Sequence, residues 1–161
     1  MRGGDNGPMK PIVTNRKARF EYAILETVEA GISLMGTEVK SLREGRANLT
    51  DAYAVHDGGE IILKGFHITP YSHTSQTKLD PRRDRKLLLH KPEIRRLIAK
   101  VREKGLTLVP LRVYFNDKGI AKVELALARG KREYDKRTRI AEREAEREMQ
   151  RALKDRARPR R

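Results

Sequence analysis

Apolar and polar residues alternate in several short stretches of the chain. Phe20, Tyr22 and Ile24 interleave with Glu21 and Ala23, Gly31 breaks the pattern, and Ile32 and Leu34 resume it. Alternation of this kind predicts half-buried strands. Ala52–Val55 and Glu60–Leu63 flank Asp57-Gly58-Gly59, a hairpin signal. The clearest strand pair sets Leu111, Val113 and Phe115 against Ala121, Val123, Leu125 and Leu127, across the turn Asn116-Asp117-Lys118-Gly119. Pro110 has no N–H to give a ladder, so it marks an edge or a bulge.

Helical spacing is confined to three places. Gly36–Gly45 reads as a short helix, with Thr37 as N-cap and Val39 and Leu42 on one face. Arg85–His90 leads into a second helix, with Pro92 in its first turn, the stripe Ile94, Leu97, Ile98, Val101, and Gly105 as its stop. The third is a thin stripe of Ala141, Ala145, Met149, Ala152 and Leu153 near the C-terminus. Residues 65–86 have little periodicity and read as a long basic loop. Short strands with few connecting helices predict a mainly β fold, an antiparallel β-barrel resembling the oligonucleotide-binding fold with peripheral α-helices.

Charge changes the picture most. The 161 residues hold 37 Lys and Arg against 22 Asp and Glu, a net charge of +15. Such a surface draws in polyanions, and nucleic acid is the commonest of these. Apolar residues make up 37% of the chain, so part of it is flank and not core. Residues 1–14 read as a flexible N-terminus, 15–129 as the RNA-binding barrel and 130–161 as a basic tail. The stretch 129–161 carries 14 Lys or Arg and 7 Asp or Glu. Its weak stripe suggests a latent helix, disordered alone and ordered on a partner; a frayed helix on its own domain is the alternative.

Candidate chemistry is sparse. The absence of cysteine excludes disulfides and thiolate metal sites. His56, His67, His73 and His90 form no zinc set, and Asp57, Asp80 and Asp84 follow no magnesium pattern. Ser72, His73 and Ser75 are adjacent in sequence, which is weak ground for a triad. Phosphate-loop and dinucleotide glycine patterns are missing, so no enzymatic role and no cofactor are expected. The absence of a signal peptide or apolar span predicts a cytoplasmic protein with no membrane partner. Tyr22, Tyr53, Tyr71, Tyr114 and Tyr134 are candidates for stacking on bases, Tyr134 above all because charge surrounds it.

Longer motifs then carry a resemblance. Asn15-Arg16-Lys17-Ala18-Arg19, Glu29-Ala30-Gly31-Ile32, Gly36–Arg43, Arg85–Leu89, Val123–Lys131 and Tyr134-Asp135-Lys136-Arg137 resemble the small protein B family, the SsrA-binding proteins of bacteria, over residues 13–156. The resemblance implies a barrel similar to the oligonucleotide-binding fold. It also implies binding to the tRNA-like domain of transfer-messenger RNA (tmRNA) and delivery of that RNA to stalled ribosomes in trans-translation. Elongation factor Tu, the small-subunit decoding centre and the empty message channel are the further partners it implies, for a chain that is monomeric when free.

By the same resemblance, Asn15 and Glu29 belong to the RNA-binding surface, with Leu89 and Lys122; Lys17 and Arg19 contact phosphates by charge, and Tyr22, read from its residue type, stands evenly between core and stacking interface. Gly130, Lys131, Arg132, Tyr134, Asp135, Lys136 and Arg137 resemble the tail motif that meets the decoding centre, and the segment to about Lys154 resembles the part that turns helical in the channel. Many relatives have His at the position of Tyr134 and Lys at that of Arg132; the first change keeps stacking but not titration near neutral pH. A general RNA binder or chaperone, and a structural ribosomal protein, are the competing readings.

Overall fold

The computed structural model describes residues 12–71 and 79–157, with backbone only for 132–139 and 157. Ser72, His73 and Ser75, and most of the N-terminal flank, lie outside the described residues.

Strand β1 (Val13–Thr14) leads into the short helix α1 (Ala18–Glu21) and the long strand β2 (Tyr22–Ile32). Helix α2 (Gly36–Arg43), β3 (Ala47–Asn48), the hairpin β4 (Tyr53–Asp57) and β5 (Glu60–Lys64), then β6 (His67–Ile68) and β7 (Arg85–Leu88) follow. Helix α3 (Lys91–Lys104), β8 (Thr107–Phe115), β9 (Ala121–Gly130) and helix α4 (Lys131–Ala157) complete the described chain. Every pairing is antiparallel. Seven strands hydrogen-bond in the order β1-β8-β4-β5-β7-β2-β9, with β8 also pairing β9; β3 and β6 form a separate two-stranded sheet.

Alternation explains the core. Ala30, Ile61, Leu63, Leu87, Val113, Val123 and Leu125 turn inward and meet Leu42 of α2 and Leu97 of α3. Each fully buried aliphatic side chain contributes about 1.5–3 kcal/mol relative to exposure. On the opposite face of β2, β9 and β8, helix α1 covers one end. There α1 sets Ala18 on Val109, Leu111, Ala126 and Ala128, flanked by Tyr22 and Ile24. Two alanines in β9 are small enough for a helix to lie this close.

The β4–β5 hairpin turns at Gly58 (φ +56°) and Gly59 (φ +78°), a left-handed pair that side chains resist. Pro110 marks a bulge, as its missing donor requires: the β8–β9 register shifts between Pro110 and Arg112. The main-chain N–H of Asn15 donates to Leu111 O at 2.7 Å and its side-chain amide to Pro110 O at 3.0 Å, pinning the approach to α1.

Several sequence expectations give way. Phe20 is not a strand residue: it lies on α1, 79% exposed, because Ala18 is the residue that anchors that turn. Gly31 does not end its strand, which continues through Ile32 by pairing with both β7 and β9. Met35, and not Thr37, is the N-cap of α2; the Glu38 carboxylate reaches back to accept the Met35 N–H at 2.9 Å. The basic segment 65–86 is not all loop. It contains β6, and Arg85 opens β7 as a fully buried residue.

Arg85 is buried because Glu38 is there to receive it. Its Nε and Nη2 donate to Glu38 Oε2 at 2.8 and 2.5 Å, and Nη1 donates to Phe66 O at 2.5 Å. Arg83 donates to the same carboxylate from Nε at 3.1 Å and Nη2 at 2.5 Å. Burial alone would raise the Glu38 carboxyl, but hydrogen bonds from Arg83, Met35 and Arg85 outweigh it and hold the group below the usual 4.5.

Candidate nucleic-acid interface

Six of the seven expected RNA-binding residues line two grooves on the outer side of the sheet, and Arg19 lines neither. The first, about 460 Å³, is lined by Glu29, Gly31, Leu88, Leu89, His90, Glu93 and Lys122. It brings together three residues far apart in sequence, because β2 lies between β7 and β9: Gly31 is the register partner of both Leu88 and Lys122. Gly31 keeps its floor open. A Cβ there would stand 3.1 Å from Leu88 Cβ, tighter than ordinary contact.

Glu29 is exposed at the edge of this groove and accepts a hydrogen bond from the hydroxyl of Tyr114. Its cross-strand neighbour is Glu124, a pairing of like charges that is unfavourable unless each is engaged. Arg112 on β8 engages Glu124 at 2.7 Å while stacking its guanidinium 5.1 Å from the Tyr114 ring centre. Burial first, and then the bond to Glu29, push the Tyr114 hydroxyl far above its ordinary value, so it stays protonated. Leu88 is 50% exposed on the groove wall and Lys122 is half-buried.

The second groove, about 420 Å³, is lined by Asn15, Lys17, Ala18, Glu21, Tyr22 and Tyr53, among others. Lys17 and Arg19 are exposed on and just before α1, and Tyr53 is 48% exposed across from them. Asn15 is buried at the base, its Oδ1 without a hydrogen-bond partner among the described residues. Tyr22 is the register partner of Gly130, so this groove adjoins the root of α4. Gly130 is half-buried there and Lys131 exposed.

The expected residues are therefore split: Glu29, Leu89 and Lys122 share one groove, while Asn15, Lys17 and Tyr22 share the other. Tyr114 does not offer a stacking face. Its ring is buried, and its contribution is the hydroxyl, which alternation along β8 did not disclose. Tyr71 lies under the Lys40 ammonium, 5.5 Å from its ring centre. Gly31, Leu88 and His90 were missed as lining residues, although a glycine inside a strand signals close approach. The helix α4 includes Arg132, Tyr134, Asp135, Lys136 and Arg137, whose side chains lie outside the described residues; from Ile140 to Arg156 every residue is exposed. Among the described residues, no group of three or more His, Asp and Glu is placed to hold a metal ion, and no helix is long and apolar enough to cross a membrane.

A family model described as SmpB protein matches residues 12–155. An SsrA-binding protein of Moorella thermoacetica is 60% identical over 148 residues, 92% of this chain and 96% of that relative. One of Symbiobacterium thermophilum is 61% identical, again over 92% of this chain and 94% of its own. A solved structure described as "tmRNA-SmpB: a journey to the center of the bacterial ribosome" aligns with a TM-score of 0.62 at 59% identity, over 73% of this chain and 82% of that one.

Proposed function

The chain belongs to the SmpB family of SsrA-binding proteins, and from that premise we propose that its two grooves are where it takes hold of tmRNA. It binds tmRNA and delivers it to stalled ribosomes in trans-translation, as an adaptor that performs no chemistry. The observation that carries the proposed interface is the convergence of Glu29, Leu89 and Lys122 on one open groove.

A carboxylate on a phosphate-binding surface is consistent with this role. It accepts hydrogen bonds from ribose hydroxyls and base amines, which phosphate oxygens cannot donate, while Lys122 supplies the charge. Lys17 approaches the backbone from the second groove and Arg19 from the exposed side of α1, with Tyr22 in the groove beside Lys17 and Asn15 holding the segment that carries them. The sheet is read as an oligonucleotide-binding-like barrel, because β8 pairs with both β4 and β9 and so brings the strand order back on itself.

Residues 130–161 serve as the probe of the ribosome. Gly130, Lys131, Arg132, Tyr134, Asp135, Lys136 and Arg137 meet the decoding centre, and the rest of α4 enters the empty message channel. The exposure of Met149 and Leu153 supports a helix that gains its partner there: beyond its root against β9, α1 and β2, every residue from Ile140 to Arg156 is exposed. An intact message would exclude it sterically, by filling the channel. Delivery proceeds with elongation factor Tu, in the cytoplasm, from a free monomer.

The test is equilibrium binding of the full chain to tmRNA against unstructured RNA of equal length, at near-physiological salt. The expected result is tmRNA binding at least about tenfold tighter, ~1.4 kcal/mol. Equal affinity for the two would leave a general RNA binder.

A further inference from the structure

We infer that Tyr114 is a positioning residue for RNA recognition: its buried hydroxyl fixes the Glu29 carboxylate at the mouth of the groove, with one oxygen held and the other left to accept from RNA. Tyr114 can act this way only if Glu29 touches the RNA, as proposed above.

The register across three strands makes the case. One row of the outer face runs Arg112, Glu124, Glu29; the next runs Tyr114, Lys122, Gly31, Leu88. Two glutamates thus stand opposite one another, and each is held by a different residue of β8. Arg112 takes Glu124, and Tyr114 takes Glu29. The distinction is chemical. A guanidinium brings a full positive charge to its carboxylate: Arg112 Nε donates to Glu124 Oε2 at 2.7 Å and offsets the charge there. A phenol donates once, from Tyr114 to Oε2, leaving Oε1 and the negative charge available.

Lys122 gives the arrangement its purpose. It lines the same groove, lies directly opposite Tyr114 and stands diagonal to Glu29, within reach for long side chains on one face. An untethered Glu29 is free to turn onto that ammonium, which would withdraw both groups from an RNA ligand. The Tyr114 ring is itself immobile, being buried with Arg112 stacked on it. The hydroxyl stays protonated well beyond neutral pH, so the donor keeps its proton throughout the physiological range.

The experiment is a double-mutant cycle on the full chain, with a transcript of the tmRNA tRNA-like domain as probe and urea unfolding measured alongside. Tyr114→Phe keeps the ring and removes the donor. It is expected to weaken binding about tenfold, with the salt dependence unchanged because no phosphate contact is lost. In the Glu29→Ala background it should add less than about twofold. In the Glu29→Gln background, where an amide oxygen still accepts from Tyr114, it should again weaken binding. If Glu29→Ala alone is silent, the RNA contact fails and the tether with it. If Glu29→Ala weakens binding while Tyr114→Phe does not, the contact stands and the positioning role is overturned. Equal losses from Tyr114→Phe in all backgrounds would assign the tyrosine to the scaffold and also overturn it.

Discussion

Glu38 and Glu29 are both glutamates in a chain of net charge +15, and the fold treats them oppositely. Glu38, 5% exposed, is saturated: two arginines and a backbone N–H occupy both of its oxygens. Glu29 is exposed and receives one neutral donor. The difference separates two uses of negative charge on a basic protein. A carboxylate surrounded by guanidinium joins parts of the fold, whereas one given a single hydroxyl keeps acceptor capacity for a ligand. Removing the first should cost stability, and changing the second should cost recognition.

The largest expected effect is therefore Glu38→Gln, which leaves the buried Arg85 charge without its counterpart. Loss of about 3–5 kcal/mol is expected, read as a lower urea midpoint. Glu29→Gln is the contrasting case. Its amide oxygen still accepts from Tyr114, so stability should stay within about 0.5 kcal/mol of wild type. Affinity for the tRNA-like domain should fall by about 2 kcal/mol in a titration, as for a lost charged hydrogen bond.

Acid should act on Glu38 in a defined direction. Its carboxyl is held low in the fold, so the stabilisation is complete above the ordinary value of 4.5 and is lost as pH falls below it toward the folded value. Unfolding free energies between pH 6 and pH 3 should decline in wild type and decline less in Glu38→Gln. The smallest effect is expected at Glu26. Lys100 and Arg96 of α3 lower its carboxyl by hydrogen bonds, but the group is partly exposed and screened. Glu26→Gln should cost at most about 1 kcal/mol, and less in high salt.

The hairpins, α3 and the Pro110 bulge were legible because their signals are local: a glycine pair, a 3.6-residue stripe, a missing N–H. The segment around Arg85 was not. A basic residue beside Pro81 and Asp84 reads as solvated loop, and only the distant Glu38, 47 positions away, makes its burial possible. Phe20 misled for a related reason, since its alternation with Tyr22 ignores that Ala18 has small partners on β9 to rest upon. Motif resemblance singled out Glu29, Leu89 and Lys122, but their shared groove depends on β2 pairing with both β7 and β9. Tyr114 stayed hidden because a tyrosine in an alternating strand looks the same whether its ring or its hydroxyl is used.

The buried pair of Arg85 and Glu38 also acts as a key for alignment. Strand β7 has only four residues, alternating Arg85 and Leu87 inward with Lys86 and Leu88 outward. So short a strand, with Leu88 and Leu89 following Leu87, has little in its apolar pattern to prevent a slip by one place. A slip would carry the guanidinium away from Glu38, the one buried carboxylate among the described residues. The penalty falls on misalignment and not on the correct fold, and it sets Leu88 opposite Gly31. An ion pair outside the groove thus fixes which side chain walls it.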